Sequence, residues 1–161
     1  MTMIISAPGD LIIATSDGID VRFTGIDPTF TLPAGVGEVP GDRGVVVYFE
    51  GVPCLETRNR DHHHLKEIEQ WAKQRKLHGT EAAGRFPIMP GEPVLSRVRV
   101  RITDDVGTEY RWAGGKVAGT GTEWDGCWGY APEPPMRAQL LNFEFTLDGE
   151  PTGKSCQIQL K

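Results

Sequence analysis

The stretch 97–103 reads Arg-Val-Arg-Val-Arg-Ile-Thr. Strict alternation of apolar and polar residues has the period of a β-strand, so Val98, Val100 and Ile102 share one face and Arg97, Arg99 and Arg101 the other. Asp104-Asp105-Val106-Gly107 follows as a type I turn with glycine in the left-handed position, and 108–112 returns as the second arm of a hairpin. Residues 123–131 resume as a strand ended by Pro132, with Trp124, Gly126, Trp128 and Tyr130 on one face. Gln139 to Leu147 and a last strand carrying Cys156, Ile158 and Leu160 complete an all-β second half.

The first half is less regular. Met3–Ser6, Leu11–Thr15 and Ile19–Phe23 are short β-prone pieces set off by Pro8-Gly9-Asp10 and Asp17-Gly18. Residues 24–43 are rich in glycine, proline and aspartate and read as a long surface loop with an edge strand at Thr29–Leu32. Val45–Phe49 is an unbroken apolar run that suits a central strand covered on both faces. Between these strands Leu65, Ile68, Trp71 and Ala72 recur at helical spacing. They predict one inserted amphipathic helix over 61–77, with Asn59 or Asp61 as N-cap and Gly79 as C-cap.

The 20 glycines and 12 prolines of this 161-residue chain fall between short apolar runs, which implies many turns joining many strands. The expectation is a single domain over 1–161, mainly β, an immunoglobulin-like antiparallel β-sandwich with an inserted helix, with an open barrel as the other architecture. A net charge of −5 removes bulk attraction to nucleic acid and anionic lipid, leaving protein as the expected partner. The N-terminus has neither a basic region nor an unbroken apolar span, and Cys54, Cys127 and Cys156 form no C-x-x-C pair. A cytoplasmic location with free thiols is expected.

Candidate chemistry is sparse. Arg97, Arg99 and Arg101, with Arg111 across the hairpin and Trp112 beside it, make a basic strip that can bind an acidic partner or a polyanion, or else a solvated sheet face. The tryptophan row is a stacking platform or, in the plainer reading, filling between two sheets, with Gly126 letting a ring lie flat. His62, His63 and His64 fan out by about 100° per residue, so they cannot chelate one ion among themselves. Cys54 pairs with one of them as nucleophile and base only if the fold brings them together, and it shows no helix N-terminus to lower its pKa. Asp104, Asp105, Glu109, Glu123 and Asp125 match no calcium-loop spacing. No phosphate loop, nucleophile elbow or zinc-protease motif is present, and neither a cofactor nor a metal is expected.

The order Asp104-Asp105-Val106-Gly107-Thr108-Glu109-Tyr110, Gly114-Gly115, Trp124 to Trp128 and Ala131-Pro132-Glu133-Pro134-Pro135 resembles a pattern in uncharacterised bacterial immunoglobulin-like β-sandwich proteins. The resemblance covers the last third of the chain and implies the fold without an activity. Three functions follow as expectations: a non-enzymatic protein-interaction module, a metal- or thiol-dependent enzyme using Cys54 and the histidines, and a carbohydrate-binding module using Trp112, Trp124 and Trp128.

Overall fold

The computed structural model describes residues 5–6, 11–32, 43–117 and 124–160. In chain order these form β1 (Ile5–Ser6), β2 (Ile12–Ser16), β3 (Ile19–Thr31), β4 (Arg43–Gly51), α1 (Leu55–His78), α2 (Thr80–Ala83), α3 (Glu92–Leu95), β5 (Val98–Asp104), β6 (Arg111–Val117), β7 (Asp125–Ala131), β8 (Leu140–Leu147) and β9 (Glu150–Gln159). The strands make two antiparallel sheets. The first runs β1-β3-β4-β7-β6, with β2 succeeding β1 along the same edge of β3, and the second runs β5-β8-β9. The protein is thus mainly β, two sheets and one long helix.

Alternation explains why the sheets face each other. Ile19, Val21 and Phe23 of β3 and Val45, Val47 and Phe49 of β4 turn to one side, opposite Leu141, Phe143 and Phe145 of β8 and Val98, Val100 and Ile102 of β5. Phe23 lies 5.5 Å from Phe143 and 5.1 Å from Phe145, ring centroid to ring centroid. The hairpins β2–β3 and β8–β9 both turn on Asp-Gly, with positive φ at Asp17, Gly18, Asp148 and Gly149, the two-residue turn that matches strand twist.

Three expectations need correction. The stretch 97–112 is not a hairpin, because β5 pairs with β8 and β6 with β7 in the other sheet. The intervening loop carries the chain between sheets and is held by Asp104, whose Oδ1 accepts from the amides of Val106 and Thr108 and whose Oδ2 accepts from the Tyr110 hydroxyl. Residues 24–31 are not loop but the second half of β3. Register slips beside Gly25 and around Pro28 absorb the residues that a regular ladder excludes. Thr29–Thr31 therefore ends β3, and 33–42 lies outside the described residues.

The third correction concerns the helix. It begins at Leu55 with Cys54 as N-cap, six residues before the expected start. The Thr57 hydroxyl accepts from the Cys54 amide at 2.8 Å, and Arg58 N–H starts the ladder on the Cys54 carbonyl. Gly79 caps the other end, its N–H on the Arg75 carbonyl. Thr57 and His64 are buried and Ile68 and Trp71 half-buried, whereas Leu65 and Ala72 are exposed. The reason is that, among the described residues, the hydrogen bond and ion pair that join α1 to the sandwich lie near its base, where the Trp124 indole N–H donates to Asp61 at 2.7 Å and Arg60 approaches Asp17. Further out, Trp71 meets Phe86 at 5.1 Å and donates to the Gly84 carbonyl, so 84–86 packs against the helix. Among the described residues no helix is long and apolar enough to cross a membrane.

The tryptophan strand is core, with Trp124, Trp128 and Tyr130 buried. The glycine that makes room for a ring is Gly115, opposite Trp128 across the ladder, rather than Gly126. A Cβ at Gly115 would lie inside the Trp128 ring's envelope and against the Cys127 carbonyl, so Gly115→Ala is expected to destabilise by about 3 kcal/mol or more in denaturant titration. Tyr130 bridges the sheets, since its hydroxyl accepts the Val100 amide at 3.2 Å. Tyr130→Phe leaves that buried donor unpaired and should cost about 1–2 kcal/mol by the same measurement.

Candidate functional site

The five residues picked out on the sequence do not form one site. Arg97, just before β5, donates to both oxygens of Asp148 at 3.0 and 3.1 Å, to Ser16 and to Asp17. It joins the turns of the two Asp-Gly hairpins, and its hydrogen bond holds the Asp148 carboxyl below the ordinary range. Arg99 lies between two indoles, its guanidinium carbon 4.5 Å from the Trp128 centroid and 5.0 Å from Trp112. It also donates to the carbonyls of Ser96 and Val98. Arg101 is exposed and faces Glu144 across the ladder, and Arg111 sits 3.7 Å from Glu109. Only Arg99 and Trp112 come together. The remaining exposed part of Trp112, 52% of it, is too small for a platform, because Trp124 and Trp128 are inside.

Cys54 and the histidines lie on one helix, which settles their separation. Eight residues of rise put His62 about 12 Å along the axis from Cys54, and His78 is about 21 Å beyond His64. Cys54 does sit at a helix N-terminus, which the residues around it do not announce, but no imidazole reaches it as a base. His62 is exposed, His63 pairs with Glu67 at 3.1 Å, and His64 is 2% exposed with neither ring nitrogen hydrogen-bonded. Among the described residues no three His, Cys, Asp or Glu are placed to hold a metal ion.

Several concavities among the described residues have no sequence signature, one of about 490 Å³ between α1 and 83–87 among them. A cavity of about 430 Å³ lies between α1 and 88–93, lined by Asn59, Arg60, His63, His64 and Glu67 on the helix and by Ile88, Met89, Pro90 and Pro93 opposite. A groove of about 350 Å³ lies on the outer face of the first sheet, over Gly114, Gly115 and Gly129 and between Phe30, Leu32, Val46, Tyr48, Lys116 and Cys127. Tyr48, Cys127 and Lys116 are neighbours across three strands. Burial pushes the Cys127 thiol up despite Lys116, and burial with nearby Asp27 and Cys127 raises the Tyr48 phenol. Neither is an activated nucleophile at neutral pH.

A further feature is α1 itself with 79–88. Leu65 is 54% exposed and Leu77 71%, and Leu55, Phe86 and Ile88 are exposed as well. Large apolar side chains on one element, while no leucine of the described sandwich is exposed, are the least explained part of the surface. Sequence reasoning missed it because leucines at helical spacing normally mark the buried face. The signal available was the polar run Glu56–His64, which leaves the first turns of the helix with little to bury. No family model, curated protein or solved structure matches the chain.

The Asp104 loop gives a pH test of the sheet-to-sheet connection. Burial alone would raise the Asp104 carboxyl, but hydrogen bonds from Thr108, Tyr110 and Val106 outweigh it and hold the group at about 2, below its ordinary 3.8. A depressed carboxyl contributes stability that is fully present above its unfolded value and is lost as pH falls through the folded one. Asp104→Asn should therefore be less stable than wild type at about pH 6, and the gap should close between about pH 4 and pH 2. Chemical denaturation across that range reads the effect.

Proposed function

We propose that the protein is a non-enzymatic binding module, an immunoglobulin-like β-sandwich that presents α1 and the 79–88 segment as an arm to another protein. The observation that carries this reading is the exposure of Leu55, Leu65, Leu77, Phe86 and Ile88 on an element whose hydrogen bond and ion pair to the sandwich, among the described residues, lie near its base. Two antiparallel sheets and the order of turn and tryptophan motifs in the last third support the immunoglobulin-like assignment. Three unpaired cysteines accord with a reducing, cytoplasmic setting.

Replacing Leu65 and Leu77 by serine distinguishes a docking role from a structural one. Both side chains are largely outside the packed interior, so the double variant should keep its unfolding midpoint within about 0.5 kcal/mol of wild type. A photo-crosslinking residue at Arg58 or Gln70 should capture a discrete protein in the native cell, and the serine changes should abolish the capture. Equal labelling at Arg58 and at Ser155, an exposed residue of β9 in the smaller sheet, would overturn the reading.

A further inference from the structure

We infer that the arm is built for an acidic protein partner carrying two apolar depressions, an inference that rests on the arm being the docking element. The helix α1 spans 24 residues, about 36 Å of rise. At about 100° per residue, Thr57, Arg60, Asp61, His64, Ile68 and Trp71 fall within one arc of about 100°, and with Glu56 these are its buried or half-buried residues. Opposite them, within about 120°, lie Leu55, Arg58, Leu65, Lys66, Lys73, Lys76 and Leu77, all exposed. Glu69 is the one acid on that outward face, so four cations stand against one carboxylate on a chain whose total charge is −5.

Several of the other cations are occupied within the fold. Arg22, Arg43, Arg60 and Arg97 are each paired with a carboxylate, and Arg99 is stacked between indoles. Arg58, Lys66, Lys73 and Lys76 form no ion pair among the described residues. Leu65 and Leu77 are about 18 Å apart along the axis, with Lys66, Lys73 and Lys76 between them. The complementary surface therefore has two leucine-sized depressions at that spacing, bordered by carboxylates.

Other polyanions fit less well. A nucleic acid long enough to gain from counterion release would also meet the acidic sandwich, and its phosphates favour the bidentate arginine over the lysines that dominate here. A membrane needs a continuous apolar face, whereas lysines separate these leucines.

The probes are a synthetic amphipathic peptide with leucine on one face and glutamate on its flanks, the same peptide with lysine for glutamate, polyglutamate, a DNA duplex and phosphatidylserine vesicles, each titrated into the full chain. The acidic amphipathic peptide should bind, and binding should weaken at least about tenfold from about 50 to 500 mM salt. K66E/K73E/K76E should lower affinity at least about tenfold, and so should L65S/L77S. K66Q/K73Q/K76Q serves as the second variant if charge reversal disturbs the helix. Unchanged peptide affinity in the lysine variants, or tighter binding of DNA, vesicles or polyglutamate than of the peptide, would overturn the inference. Arm-specific crosslinking in cells that persists in the lysine variants would overturn the acidic partner alone and leave the docking reading standing.

Discussion

Four phenylalanines form the contact through which the two sheets become one structure. Phe23 and Phe49 come from adjacent strands of one sheet, Phe143 and Phe145 from one strand of the other, and their rings meet at centroid distances of 5.1–6.3 Å. Each is essentially inaccessible to solvent, and burying a ring of that size contributes about 2–3 kcal/mol. The pairing pattern follows from this layer. A slip of one residue in β3 or β8 would turn its phenylalanines outward, so the alternation that fills the centre also specifies the register.

What the aromatic layer leaves open is closed at one side by unlike groups. As the first strand of the smaller sheet, β5 has unpaired amides along its outer edge. The Tyr130 hydroxyl takes the Val100 amide, and the Arg99 guanidinium fills the gap between the sheets by lying against Trp128 and Trp112. Gly115 permits this, because a larger residue would displace the Trp128 ring that Arg99 lies on. The arginines of β5 thus serve the join between sheets before they serve the surface.

This explains why the legible parts of the sequence were the faces and the turns, and not the neighbours. Period-two alternation tells which side of β5 is inward, but Val98, Val100 and Ile102 would look the same whether the next strand in sequence paired with them or crossed to the other sheet. Asp-Gly turns at 17–18 and 148–149 were readable because their chemistry is local. The identical-looking Arg97, Arg99 and Arg101 have three different surroundings, supplied by residues 148 and 17, 112 and 128, and 144, and no local rule anticipates them. The early start of α1 was hidden for a similar reason. Residues 55–64 contain no helix breaker, yet they lack apolar spacing because half of them face water and the buried positions hold Thr57 and His64.

The outward face of α1 acquires meaning from how firmly its base is set. Trp124, at the start of β7, donates to Asp61 and packs its ring over Gly51, where a Cβ would come within 3.1 Å of the indole. Arg60 binds both Glu56 on its own helix and Asp17 on the β2–β3 turn. Thr57 and His64 are buried beneath the same stretch. The base of the helix is therefore set by the sandwich core through Trp124, and Leu65 and Leu77 are carried on the same continuous helix. On the proposed docking reading, a helix already formed has less conformational entropy to lose than a flexible segment would, so a smaller surface serves.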